Sequence, residues 1–126
     1  MEAKIEKGRA LVLVGPQGCG KTRLARELAA AEGPYREIDI DDLESRFQRW
    51  MDTRIKTVIV DGFPTRRAAL EQAERYVAAD QIEVNRKMRP VEVMPAPNFI
   101  FCTIDAEPLK HLKGRRFRVV HMGAAG

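Results

Sequence analysis

A short apolar run, a glycine-rich octapeptide and an amphipathic stretch follow one another near the start of this chain. Their order constrains the fold more than anything else in the sequence. Arg9-Ala-Leu-Val-Leu-Val14 has the length and apolar continuity of a strand buried on both faces. Gly15-Pro-Gln-Gly-Cys-Gly-Lys21-Thr22 fits the pattern G-x-x-x-x-G-K-[ST] at every position. From Lys21 to Ala31, Leu24, Ala25 and Leu28 fall on one helical face. Strand, tight glycine loop and helix together predict the first unit of a parallel α/β sheet.

The same order carries chemistry. Glycines let the backbone fold tightly, so that several N–H groups point at one anion. The helix N-terminus adds unpaired N–H groups and the positive end of its dipole. Gly15, Pro16, Gln17, Gly18, Cys19, Gly20, Lys21 and Thr22 are therefore the candidate phosphate cradle of a nucleoside triphosphate, a Walker A motif. Lys21 reaches the β- and γ-phosphates, and the Thr22 hydroxyl ligates Mg²⁺. ATP is the expected nucleotide, although the motif reads phosphates and no base-reading motif is visible.

Alternation continues along the chain. Gly33-Pro34 stops the first helix. Glu37–Ile40 reads as a second strand, and Asp41 or Asp42 is placed to cap a helix carrying Leu43, Phe47 and Trp50 on one face. Thr57–Asp61 is an apolar strand, and Thr65 is placed to cap a helix with Ala69, Leu70, Ala73, Tyr76 and Val77 inward. Gln81–Asn85 and Val91–Met94 alternate apolar and polar around Arg86-Lys-Met-Arg89-Pro90, the pattern of a hairpin with a basic tip. Asn98–Thr103 is a buried strand, Pro108–Lys113 a short helix ended by Gly114, and Phe117–His121 a last strand. The expected fold is α/β: a three-layer P-loop NTPase core with a mostly parallel five-stranded sheet, helices on both faces, and a β-hairpin before the fourth core strand. Ligands of such sheets sit at the carboxyl ends of the strands.

Val58-Ile-Val-Asp61 is an apolar strand ending in a carboxylate, the Walker B pattern. Its Asp61 is the second candidate Mg²⁺ ligand, beside Thr22. Position 62 is Gly, where many hydrolysing P-loop ATPases carry Glu. The catalytic base is therefore expected elsewhere, with Asp39, Asp41, Asp42 and Glu44 able to approach from the second strand end.

Length and composition bound the remainder. The 126 residues suit one domain, 1–126, with 122–126 as a flexible tail. Cys19 and Cys102 lack metal-site spacing, and His111 and His121 stand alone, which argues against a structural zinc site or a disulfide framework. No run is long and apolar enough to span a membrane, and the first residues carry no apolar signal region, so a cytoplasmic protein is expected. A net charge of +4 is compatible with a nucleic-acid partner without demonstrating one.

Beyond the two motifs, the chain resembles the AAA+-like ATPases that include superfamily 3 helicases and small replication ATPases of phages and plasmids. The similarity lies in the hairpin Ile82–Met94, then Pro97-Asn-Phe-Ile-Phe-Cys-Thr103, then Leu112-Lys-Gly-Arg115-Arg116-Phe117. It implies that Arg86, Lys87 and Arg89 touch DNA phosphates and that Thr103 senses the γ-phosphate. It also implies that Arg115 or Arg116 reaches a neighbouring subunit's nucleotide in a homo-oligomer. Ile104 departs from the pattern, standing where an Asn often follows the Thr. Val60-Asp-Gly-Phe-Pro64 and Gly114-Arg-Arg116 are similar to segments of the adenylate-kinase-like nucleotide kinases, which is the alternative. A nucleotide-binding switch without turnover is a third class.

Overall fold

In a computed structural model that describes residues 3–105 and 116–123, five parallel strands form the central sheet. They are β1 (Ala10–Val14), β2 (Tyr35–Asp39), β3 (Thr57–Asp61), β6 (Asn98–Thr103) and β7 (Phe117–His121), in the spatial order β2-β3-β6-β1-β7. The helices are α1 (Lys21–Glu32), α2 (Ile40–Glu44) and α3 (Arg67–Ala78). Strands β4 (Gln81–Val84) and β5 (Glu92–Pro95) form a separate antiparallel hairpin. The chain therefore has the P-loop-like α/β fold with the hairpin before the fourth core strand.

Period-two alternation sorts the strand residues onto two faces. Leu11, Leu13, Ile59, Ile100 and Cys102 pack under Ala25 and Ala29 of α1. Val12, Val58, Val60, Phe99 and Phe101 face the other way, toward Leu43, Ala73, Tyr76 and the inward hairpin residues Ile82, Val84 and Met94. Both faces of the central strands are covered, which is why those strands read as continuous apolar runs. The second face is aromatic. Trp50 meets Tyr76 and Phe99 edge-on, and Phe63 meets Phe101 and Phe117.

Some sequence expectations are corrected. The second strand is Tyr35–Asp39: it starts two residues before Glu37 and ends one before Ile40, because Ile40 opens α2 behind its cap Asp39. The cap is Asp39, not Asp41 or Asp42: the Asp42 amide donates to Asp39 Oδ1 at 2.8 Å, and the Asp39 amide donates to Asp42 Oδ2 at 3.2 Å. This helix ends at Glu44, so Leu43, Phe47 and Trp50 share no helical face. The Ser45 hydroxyl accepts the Phe47 amide, and the chain turns inward to bury Gln48, Trp50 and Met51. Thr65 caps nothing; α3 begins after Arg66 with no side-chain cap. The expected helix Pro108–Lys113 and Arg115 lie outside the described residues.

Candidate nucleotide site

The carboxyl ends of four parallel strands meet at one level. Val14 pairs with Thr103, Cys102 with Asp61, and Asp61 with Asp39. The glycine loop leaves β1 at this level and folds back into α1. The Gly15 amide donates to the Thr103 carbonyl at 3.1 Å, which ties the loop to the end of β6. Gly18 and Gly20 take φ of 82° and 90°, a left-handed conformation that side chains with a Cβ rarely adopt.

Gly20 is the N-cap of α1 and supplies no side-chain cap, and the first turn holds no acidic residue. The first bond of the helix runs from the Leu24 amide to the Gly20 carbonyl, so the amides of Lys21, Thr22 and Arg23 precede the ladder. Positive dipole and donors are thus left for an anion. The Lys21 ammonium lies over the loop and donates to the Pro16 carbonyl at 3.3 Å.

A cavity of about 540 Å³ opens here, lined by the loop and by Lys21, Thr22, Asp61, Thr103 and Ile104. Thr22 and Asp61 are exposed, whereas Thr103 is buried with its Oγ1 bracketed by the Asp105 backbone at 3.3–3.4 Å. Hydroxyl and carboxylate are hard oxygen donors of the kind Mg²⁺ takes when phosphates and water complete its shell. Among the described residues no cluster of three or more His, Cys, Asp or Glu could hold a metal by itself. The donor set, one hydroxyl and one carboxylate, fits a Mg²⁺ whose remaining ligands are phosphate and water.

The structure also adds residues that the motifs do not contain. Gly62, Cys102 and Arg23 line the same cavity. The Gly62 amide donates to the Cys102 carbonyl at 2.7 Å, an inter-strand contact visible only once β3 and β6 are paired. Burial pushes the Cys102 thiol up to about 11, against an opposing pull from the Lys21 charge. Cys102 is therefore a neutral wall of the cavity.

The other candidates lie apart. Arg86 is half-buried, donating to Glu92 at 3.1 Å and to the Met51 carbonyl, so its guanidinium anchors the hairpin root. Lys87 and Arg89 are exposed at the tip, flanking Met88, which is 94% exposed at φ 66°. Arg116 sits at the amino end of the sheet, where its carbonyl accepts the Ala10 amide and its side chain donates to the Gly8 carbonyl. Five residues of β1 separate that level from the loop, about 15 Å at the rise of a parallel strand.

Two curated relatives match parts of the chain. The L-cystine import ATP-binding protein TcyC of Bacillus subtilis is 44% identical over 50 residues, covering 39% of this chain and 20% of its own length. The spermidine/putrescine import ATP-binding protein PotA of Ureaplasma parvum is 40% identical over 53 residues, 37% of this chain and 10% of its own. Among solved structures, the apo NrS-1 C-terminal region matches at a TM-score of 0.75 and 20% identity, over 92% of this chain and 30% of that one. Its A form matches at 0.71 and 22%, over 92% and 28%. The chain thus spans a fifth or less of these curated relatives and under a third of these solved chains, and the structural likeness is one of fold. Taken together, the matches give a P-loop-like relation. A family model matches residues 13–116, which include the loop, Asp61 and Thr103, and by that match the chain belongs to DUF5906, a family of unknown function.

Proposed function

We propose that this chain is a Mg²⁺-dependent ATP-binding P-loop domain that hydrolyses ATP, of the AAA+/superfamily 3 helicase-like kind, acting on nucleic acid as an oligomer. The observation that carries this reading is the convergence of the glycine loop, Asp61 and Thr103 on one cavity, with β6 standing between β1 and β3. The similarity to import ATP-binding proteins supports ATP as the nucleotide. Lys21 meets the β- and γ-phosphates, and loop and helix amides cradle them. Thr22 and Asp61 hold Mg²⁺, which when bound neutralises phosphate charge. Thr103, between the loop strand and the Asp61 strand, is positioned to report on the γ-phosphate. Lys87 and Arg89 contact nucleic-acid phosphates while Arg86 holds the hairpin in place. The whole unit is one domain, and Arg115 or Arg116 serves a neighbour's site.

The kinase alternative loses support in two places. Phe63 and Pro64 of the Asp-Gly-Phe-Pro segment are buried in the aromatic core, unavailable to an acceptor. Arg116 is at the wrong end of the sheet to serve its own nucleotide. A switch without turnover is the second reading, favoured by Gly62 in place of an acid.

Titration with ATP and ADP, with and without Mg²⁺, combined with phosphate release and an added nucleoside monophosphate, separates the three. Lys21→Ala is expected to abolish nucleotide binding with the fold intact. Asp61→Asn is expected to keep part of the binding and weaken its Mg²⁺ dependence. Near-wild-type ATP affinity in Lys21→Ala overturns the nucleotide-site reading.

A further inference from the structure

Gly62 leaves this site without the acid that would orient an attacking water, and the strand register supplies another. Asp39 ends β2 directly beside Asp61, its partner in the parallel ladder, about 5 Å away at the spacing of neighbouring strands. By strand alternation both positions fall on the α1 side of the sheet, with the Asp39 carboxylate turned at the strand end to cap α2. Ile38 and Val60 pack on the opposite face, while Ile59 packs under α1 and Glu37 bonds Arg26 of α1 at 2.9 Å. Asp39 Oδ1 is fixed by the Asp42 amide, and its Oδ2 has no hydrogen-bond partner among the described residues. One oxygen is clamped and the other is not, on the strand directly outside Asp61, which itself lines the cavity.

The competing acids are committed elsewhere. Glu37 is held by Arg26 through two bonds and Glu44 by Arg66, while Asp42 lies within α2 rather than on the strand beside Asp61. Asp41 lies on α2, which turns onto the other face, where Ile40 and Leu43 pack.

We infer that Asp39, on the strand next to Asp61, orients the attacking water for ATP hydrolysis. This rests on the hydrolysis reading above. The water oxygen bonds to the γ-phosphorus as the bond to the β–γ bridging oxygen breaks, and that electron pair leaves with ADP. The water's protons end on the released phosphate and solvent. Asp39 accepts a hydrogen bond from the water and is unchanged at the end.

The test is Asp39→Asn, because Asn keeps the capping oxygen and hence α2, with Asp41→Asn as control. Circular dichroism and thermal melting confirm folding, and Asp39→Ser is a second cap-preserving variant should Asn fail. The expected result is a kcat lowered about a hundredfold or more, with ATP affinity within about twofold of wild type and Asp41→Asn fully active. Wild-type turnover with an unaffected Asp39→Asn, or loss of turnover in Asp41→Asn instead, overturns the assignment alone. No turnover in the wild-type chain, with ATP bound, overturns the hydrolysis reading and the assignment with it.

Discussion

The position after Asp61 is decided by backbone geometry. Gly62 has φ of 109°, and a Cβ built there lies 2.9 Å from Ile40 Cγ1. An L-residue meets both a disfavoured conformation and the Ile40 side chain, so an acid there needs that side chain to shift as well. Gly62→Ala is expected to destabilise the chain by about 2 kcal/mol, read from urea denaturation. Adding Ile40→Ala removes the clash but not the φ cost, so the double variant should lose less than the two single losses combined. Full additivity would mean that Ile40 and Gly62 do not constrain one another. A sequence scan registers Gly62 as a missing acid. Part of what bars a side chain there is Ile40, twenty-two residues away, and only the fold brings the two together.

The segment after α2 shows where elements stop being legible in sequence. Buried strands and α1 follow from apolar runs and periods of 2 and 3.6, which is why β1, β3, β6 and β7 lie within a residue of expectation. For α2, two aspartates, Asp41 and Asp42, offered a cap and three apolar residues offered a face. The reciprocal pairing of Asp39 with Asp42, and the inward turn at Ser45, depend on partners that local pattern does not reveal. Gln48 is such a case. Only 5% exposed, it exchanges backbone and side-chain bonds with Asn85 at the hairpin root, at 2.9 and 2.7 Å, and donates to the Tyr76 hydroxyl at 3.2 Å. Gln48→Leu keeps the bulk but orphans the Asn85 amide, and should cost about 2 kcal/mol with faster amide exchange at Asn85. An unchanged exchange rate would mean that the hairpin does not depend on this clamp. With the root held by Gln48 and Arg86, the tip is left to Lys87 and Arg89. Lys87→Ala should weaken DNA binding evenly across sequences and lower the salt slope by about one. An unchanged slope identifies the tip as a solvated turn.

At the scale of the whole molecule, what matters is which end of the sheet each group occupies. The glycine loop, Asp61 and Thr103 share the carboxyl end, and Arg116 stands at the amino end beside Gly8, in a groove with Glu71, Glu74 and Arg75. A rigid parallel sheet does not let one chain bring those ends together. Arg116 therefore contributes to hydrolysis only if another copy presents its site to the amino end. A trans arginine stabilises charge developing on the transferred phosphoryl group and supplies roughly a thousandfold or more in rate. Activity per chain should then rise with protein concentration. A Lys21→Ala chain mixed with an Arg116→Ala chain should recover turnover that neither shows alone, because the intact loop of one meets the intact arginine of the other. Equal specific activity at all concentrations, with no recovery on mixing, would leave Arg116 as a sheet-end residue bound to Gly8 and would confine the chemistry to one chain.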